Sequence, residues 1–280
     1  MRENPLAPYL DLWKLTPDGV SFETPSSWLA FVRCGELPAV LKMPKPNSEE
    51  RLNALALETY DGQAAVRVLK RDTHAFLMER AQPGTELAAL SLNDRDVDAT
   101  HIACNVIENL NARPAPQGEW KTLESLALGF ARNRESALRA RVLSADLIDR
   151  AEAMFLSLCA SQSDRFLLHG DLHHMNILRD DARGWLAIDP KGVIGELAYE
   201  TASLLHNPVP HFEMIAEPKL MERRVRILAD RLHLDPGRIL RWCFAKGILG
   251  HLWTVEDGGE TSHFQRSLRV PETAWRLLGG

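Results

Sequence analysis

Four cysteines in 280 residues, Cys34, Cys104, Cys159 and Cys243, are too few and too scattered for a disulfide framework, and no two of them form a CxxC pair. A zinc ribbon is excluded on the same ground, and free thiols in a reducing compartment are expected. Long hydrophobic runs are missing as well: none approaches the ~20 residues of a spanning helix. The N-terminal MRENPLAPYLDLWKL carries Pro5, Pro8 and Asp11 where a secretion signal needs an unbroken apolar stretch. A soluble, cytoplasmic protein without a membrane partner is the expectation. Basic charge is not in excess, since 33 Lys and Arg stand against 38 Asp and Glu, a formal net charge of −5. A general nucleic-acid binder needs a basic stripe to neutralise phosphates, so that class is excluded too. There is no G-x-S-x-G elbow, no Walker A sequence and no internal repeat. What is there, 45% hydrophobic and 25% charged residues, is the composition of a globular protein. Its length is large for a single core and suits two lobes.

Short apolar runs dominate the first eighty residues. WLAFVRC (28–34) and AVLK (39–42), joined through GELP, predict a hairpin. EERLNALALETYDG (49–62) has helical spacing, with Leu52, Leu55, Ala56 and Tyr60 on one face and a stop at Asp61-Gly62. AVRVL (65–69) and AFLME (75–79) read as two further strands. Beyond RAQPG (80–84) the pattern turns helical, over 91–111, 123–140, 144–160, 219–232, 237–252 and 263–278, with Ser144 and Asp235 as N-caps. Strands followed by helices indicate an α+β protein. Its expected lobes are a small strand-rich one over residues 1–82 and a larger helical one over 83–280.

One passage, FLLHGDLHHMNILRDDARGWLAIDP (166–190), gathers polar residues at the ends of two apolar runs. Three chemistries compete for it. A zinc site on His169, His173 and His174 needs a helix to bring two rings to one face, and Gly170 with its strand-like flanks argues for a loop. A hydrolase triad lacks a serine within the passage. Phosphoryl transfer instead needs a carboxylate that orients the incoming hydroxyl and takes its proton, and hard oxygen ligands for Mg²⁺. Asp171, Asn176 five positions later, and then Asp189 match the kinase arrangement H-x-D-x-x-x-x-N…D. Lys42 ends the run AVL as a nucleotide-gripping lysine does. Glu49, Glu50 and Glu58 on the next helix are its candidate partners, with Glu50 preferred. FLMERAQPG fits a hinge whose backbone at Glu79–Ala81 meets the adenine edge, with Met78 behind it.

HGDLHHMNI followed by GWLAIDPKGVIGELAYE resembles the aminoglycoside phosphotransferases, in particular their streptomycin 6-phosphotransferase and hydroxyurea-resistance kinase branch. The resemblance runs from TPSSWLAFV (24–32) through WTVEDGGE (253–260). It implies a protein-kinase-like, two-lobed fold with ATP between the lobes and transfer of the γ-phosphoryl group to a hydroxyl of a small molecule. Asp171 is then the catalytic base, Asn176 and Asp189 are the Mg²⁺ ligands, Lys42 touches the phosphates, Glu50 orients Lys42, and His169 buttresses the loop. Pro190 stands where protein kinases carry Phe, and is expected to hold Asp189 in an extended segment. The turn TPSSWLAF has no glycine where protein kinases use G-x-G-x-x-G, so Ser26 and Ser27 must approach the phosphates. For a cationic, streptomycin-type acceptor the candidate contacts are Glu196, Glu200, Trp253, Glu256, Asp257 and Glu260, because carboxylates hold guanidinium and ammonium groups. Hydroxyurea or another small hydroxylated metabolite is the alternative acceptor. A pseudokinase that binds nucleotide as an interaction module is the alternative outside enzymes.

Overall fold

The computed structural model describes residues 5–46, 52–111, 115–259 and 261–280. A short helix, α1 (Ala7–Leu12), precedes β1 (Thr16–Glu23), β2 (Ser27–Cys34), β3 (Leu37–Pro44), α2 (Asn53–Tyr60), β4 (Val68–Arg71) and β5 (Phe76–Glu79). The strands form one antiparallel sheet in the order β1-β2-β3-β5-β4. The expected hairpin is β2–β3, closed by a two-residue loop with Gly35 at φ 60°, the conformation such tight turns favour. Successive side chains of a strand face opposite ways, so β3 feeds two cores. Ala39 and Leu41 pack with Val32, Leu77, Leu6 and Leu15. Val40 joins Phe76, Met78 and α2 in the main core.

Helix α2 buries Asn53, Ala54, Ala56, Leu57 and Tyr60. Positions 53, 56, 57 and 60 are the i, i+3, i+4, i+7 stripe of an amphipathic helix. Leu52, Ala56 and Tyr60 are buried as expected, while Leu55 is 37% exposed because the buried stripe widens through Asn53 and Leu57 instead. The helix stops where expected, at Asp61 in the left-handed conformation.

The chain continues through β6 (Pro83–Glu86), α3 (Ala88–Ser91), α4 (Asp96–Leu110), β7 (Lys121–Thr122), α5 (Leu123–Ala140), α6 (Ala145–Ala160), β8 (Phe166–Leu168), β9 (Ile177–Asp180), β10 (Gly184–Ala187) and β11 (Val193–Gly195). It ends with α7 (Leu197–Leu205), α8 (Phe212–Ile215), α9 (Pro218–Leu232), α10 (Pro236–Glu256), α11 (Phe264–Ser267) and α12 (Arg269–Leu277). Two small sheets, β10-β9-β6 and β7-β11-β8, carry the polar passage. The two caps form as read: Ser144 Oγ accepts from the Leu147 amide at 3.3 Å and Asp235 Oδ1 from the Arg238 amide at 2.6 Å. The helix expected over 91–111 is α4, which starts five residues later at Asp96, and that expected over 263–278 is two helices. Helix α10 runs past its expected end, so Trp242 and Trp253 lie on one helix rather than on two that pack together.

Around Trp242, the rings of Phe155 and Tyr199 make edge-on contacts at 4.9 and 5.1 Å, joining α6, α7 and α10. Arg224 of α9, 1% exposed, binds Asp96 of α4 at 2.6 and 3.0 Å, Ser91 at 2.9 Å, and the carbonyls of Leu204 and Asn207 at 2.9 and 2.7 Å. A buried guanidinium is tolerated when paired and fully hydrogen-bonded, and here it fixes the end of α7. No described helix is long and apolar enough to cross a membrane.

Candidate active site

Strands β8 and β11 pair antiparallel, Leu168 opposite Val193, and loop 169–176 leaves the end of β8. Gly170 sits at φ 84°, a region strained for L side chains, and a Cβ there would stand 2.9 Å from Val193 Cγ2. Only glycine lets the loop pass this close. The Gly170 amide donates to both oxygens of Glu200 at 3.1 and 3.2 Å, and the Leu172 amide to Glu200 Oε1 at 3.4 Å. Lys246 Nζ donates to the Gly170 carbonyl at 2.9 Å and to Ser203 Oγ at 2.7 Å. Both backbone polar groups of Gly170, the residue before Asp171, are thus held, the N–H by α7 and the carbonyl by α10. Asn176 Nδ2 donates to the Asp171 carbonyl at 3.0 Å and closes the loop.

His169 is buried beneath this loop. Its Nε2 donates to the Ile188 carbonyl at 2.7 Å and its Nδ1 accepts from the Asp171 amide at 3.3 Å. Burial pushes its pKa down to about 4, against the Ile188 carbonyl and the nearby Asp171 and Asp189, so the ring is neutral at neutral pH. His174 is buried too, and burial with Arg224 pushes it to about 3. His173 lines the cleft, with Nε2 3.9 Å from Asp171 Oδ2, and burial lowers its pKa as well. Among the described residues no cluster of three or more His, Cys, Asp or Glu could hold a metal. The three histidines are parts of the loop rather than a ligand set.

The hairpin β9–β10 brings the chain back to the loop, where the Ile188 amide donates to the Asn176 carbonyl at 2.9 Å. Asp189 follows at φ 61°. It is left-handed rather than extended as Pro190 suggested, a conformation Asp tolerates better than most residues. Its carboxylate turns toward the N-terminal sheet, where Oδ1 accepts from Lys42 Nζ at 2.6 Å and from Asn53 Nδ2. Burial raises the Asp189 pKa, but Lys42 and Lys191 outweigh it and hold the carboxyl below its ordinary range. Lys42 is 3% exposed, on β3 opposite Leu29 and Phe76. Glu50, like Glu49, lies outside the described residues. Asn53 on α2 was not anticipated; a polar residue set among Ala54, Ala56 and Leu57 was its only signal. Asn176 Oδ1 and Asp189 Oδ2 accept no hydrogen bond from the described residues. Two such hard oxygens fit a Mg²⁺ ion that takes its other ligands from phosphates and water.

The remaining nucleotide-side candidates divide. Ser26 lines the cleft, whereas Ser27 is fully buried and its amide donates to Thr24 Oγ1 at 3.0 Å. Ser27 begins β2, and strand pairing turns it inward. Met78 is buried in the core beside Val40. In the hinge, the Glu79 amide donates to the Arg67 carbonyl and the Arg80 amide to the Pro38 carbonyl. The Ala81 amide is the one of the three with no such partner among the described residues. The Glu79 carboxylate is occupied by Arg183 and the Arg67 amide.

A cleft of about 1360 Å³ runs from Ser26 past Asp171 to Asp257. Trp253, Glu256 and Asp257 line its far end, with the Trp253 ring laid over Gly129 of α5. Glu256 is already paired with Arg132 at 2.6 Å and Asn133 at 2.8 Å. Glu196 and Glu200 do not line it. Glu196 is 6% exposed and its carboxylate holds Arg238 Nε at 2.7 Å and Trp242 Nε1. Glu200 is fully buried under the loop. The two stand four apart at the start of α7, and that face packs on α10 and loop 169–176 rather than on the cleft. Glu260 lies outside the described residues. Lys45, Lys121, Arg132, Lys191 and Lys246 also line the cleft, so it is not the acidic channel that the sequence suggested. Lys246 was missed, although it is the single charge in FAKGILGHLW.

The chain is 35% identical over 253 residues to streptomycin 3''-kinase from Klebsiella pneumoniae, covering 89% of this chain and 92% of that protein. It is 31% identical to streptomycin 6-kinase from Streptomyces glaucescens, over 89% and 81% of the two chains. It is 30% identical to hydroxyurea phosphotransferase from Kitasatospora aureofaciens, over 98% and 78%. Among solved structures, a thermostable mutant of aminoglycoside phosphotransferase APH(4)-Ia, in ternary complex with ADP and hygromycin B, superposes with a TM-score of 0.67 at 15% identity, over 98% of each chain. Choline kinase LicA from Streptococcus pneumoniae superposes with a TM-score of 0.66 at 13% identity, over 97% of each. These two likenesses show the protein-kinase-like fold. The model of the aminoglycoside/hydroxyurea antibiotic resistance kinases matches residues 12–258; the chain belongs to that family and is a phosphotransferase with an alcohol group as acceptor.

Proposed function

We propose that this protein transfers the γ-phosphoryl group of ATP, with Mg²⁺, to a hydroxyl of a streptomycin-type aminoglycoside. The observation that carries the reading is the approach of Lys42 and Asn53 from the N-terminal sheet and α2 to Asp189, beside Asn176 and Asp171. A lobe boundary between residues 82 and 83 is supported by β5 being the last strand of the N-terminal sheet in chain order and by β6 pairing with β9. ATP lies between the lobes, its adenine edge at the Ala81 amide and its phosphates toward Lys42 and Ser26. Asn176 and Asp189 would hold Mg²⁺, which when bound would neutralise phosphate charge. Asp171 orients the acceptor hydroxyl and takes its proton as the hydroxyl oxygen attacks the γ-phosphorus in line, with ADP leaving. The loop that carries Asp171 is anchored by Glu200, Lys246 and His169, so the base keeps its position without reorganisation.

For the acceptor, the relatives named for streptomycin support an aminoglycoside, and Trp253, Glu256 and Asp257 supply an aromatic face and carboxylates at the far end of the cleft. The test is an ADP-release assay with streptomycin, hydroxyurea and choline, followed by location of the phosphate on the product. Streptomycin-dependent turnover that disappears on removal of Mg²⁺ is the expected result. Asp171→Ala retains nucleotide binding and loses turnover by about two to four orders of magnitude, the range for a positioned general base. Near-normal turnover in that variant removes Asp171 from the mechanism.

A further inference from the structure

Resting on the reading above, we propose that Lys246 is a catalytic residue, its ammonium contacting the transferring phosphoryl group from the acceptor side of the cleft while Lys42 acts from the nucleotide side. Lys246 lines the cleft wall together with Gly170, Asp171 and His173. An ammonium has three N–H donors. Two go to neutral acceptors, the Gly170 carbonyl and Ser203 Oγ, and the third has no partner among the described residues. The head group also lies 4.2 Å from the centre of the Tyr199 ring, so its position is fixed before any ligand arrives. Burial lowers its pKa, against the nearby Asp171 and then Glu200, which favour the protonated form.

The demand for such a cation comes from the chemistry. Charge spreads over the equatorial oxygens of the phosphoryl group in flight, and fixed positive groups aimed at it lower the barrier. Loop 171–176 reads Asp-Leu-His-His-Met-Asn and holds no lysine or arginine. Lys42 reaches the site from β3 and is bonded to Asp189. Lys191 is the competitor, since it lines the cleft two residues beyond Asp189. Lys246 differs in being bonded to the residue next to the base. In the step itself the acceptor oxygen bonds to the γ-phosphorus, and the bond from that phosphorus to the bridging oxygen breaks. ADP keeps the electron pair, and the acceptor proton passes to Asp171. Lys246 forms no covalent bond and gives up no proton.

The experiment compares Lys246→Met, Lys246→Arg, Ser203→Ala and Lys191→Met in the full-length enzyme, with ATP, Mg²⁺ and streptomycin. It reads kcat, both KM values, and slow ATP hydrolysis without acceptor. In Lys246→Met kcat falls about 100-fold, the effect of removing one preorganised donor. Both KM values stay within about threefold, the mark of an interaction made only in the transition state. Acceptor-free hydrolysis falls in the same proportion, which a contact to the acceptor alone would not produce, and Lys246→Arg recovers part of the loss. Wild-type kcat in Lys246→Met overturns the proposal, as does a loss confined to the acceptor KM. The full loss appearing in Lys191→Met instead overturns it too. If Lys246→Met does not fold, Ser203→Ala and Lys246→Arg carry the test: reduced kcat at unchanged KM supports the proposal, and wild-type kcat in both overturns it. Absence of transfer and of hydrolysis in the wild type would instead sink the kinase reading on which this inference rests.

Discussion

Replacing Glu200 by Ala removes the acceptor that the Gly170 and Leu172 amides share. Each orphaned buried amide costs about 1–3 kcal/mol, so the loop loses about 2–6 kcal/mol of support. If that energy must be restored to reach the working conformation, kcat falls about thirtyfold or more, at ~1.4 kcal/mol per tenfold. Glu200→Gln is the informative partner. Glu200 Oε1 alone accepts from both amides, and a glutamine keeps an oxygen there. The carboxyl's own pKa is raised by burial, against Lys246 and the loop amides, so a neutral group also relieves desolvation. ADP-release kinetics and urea unfolding of both variants provide the assay. Glu200→Gln is expected within about tenfold of wild-type kcat and at least as stable, because one hydrogen-bond geometry replaces another. A glutamine variant as damaged as the alanine one would refute this account and make the charge opposite Lys246 the deciding factor.

Arg224→Met removes the closest charge partner of Asp96, which keeps Ser91 and Arg223, and leaves two buried backbone carbonyls without it, so urea unfolding is expected to show a loss of about 3 kcal/mol. The same pair sets an acid limb of stability. Burial raises the Asp96 pKa, but Arg224, Ser91 and Arg223 outweigh it and lower it from 3.8 to about 2. A depressed carboxyl stabilises the fold above its unfolded value, and that contribution is lost as pH falls from 3.8 toward 2. It amounts to about 2 kcal/mol. The difference in unfolding free energy between wild type and Asp96→Asn should therefore shrink across that window, and a constant difference would disprove the assignment. Gly170→Ala combines left-handed strain with contact against Val193 at 2.9 Å. It is expected to cost about 2–5 kcal/mol from strain and overpacking, measured by thermal unfolding with kcat followed in parallel.

Local chemistry made much of this protein legible. The hairpin β2–β3, helix α2, strands β4 and β5 and the long helices followed from apolar period, and their ends from Ser144, Asp235 and Asp61-Gly62, whereas β1 and α7 were not read. The passage 166–190 carried Asp171, Asn176 and Asp189 in one stretch, so their shared chemistry could be read without knowing where the chain goes between them. Lys42 stood out because it follows the apolar run AVL ahead of a helix, although β3 continues two residues past it. The face of α2 was read correctly at Leu52, Ala56 and Tyr60 and wrongly at Leu55, since helical spacing alone admits Leu55 about as well as Asn53 or Leu57.

The sequence by itself determined the central hairpin, α2 and most of the long helices, and which oxygen-bearing side chains could serve a phosphate and a metal, because both follow from residue types a few positions apart. Only the tertiary structure decided which way those side chains face and whom they meet. Glu196 and Glu200 carry the charge an acceptor site would use, yet the packing of α7 against α10 and loop 169–176 turns both inward. Asn53 meets Asp189 across 136 positions, and Lys246 reaches Gly170 across 76. Contacts at such separations depend on how the helices pack, and nothing in the neighbouring residues encodes them.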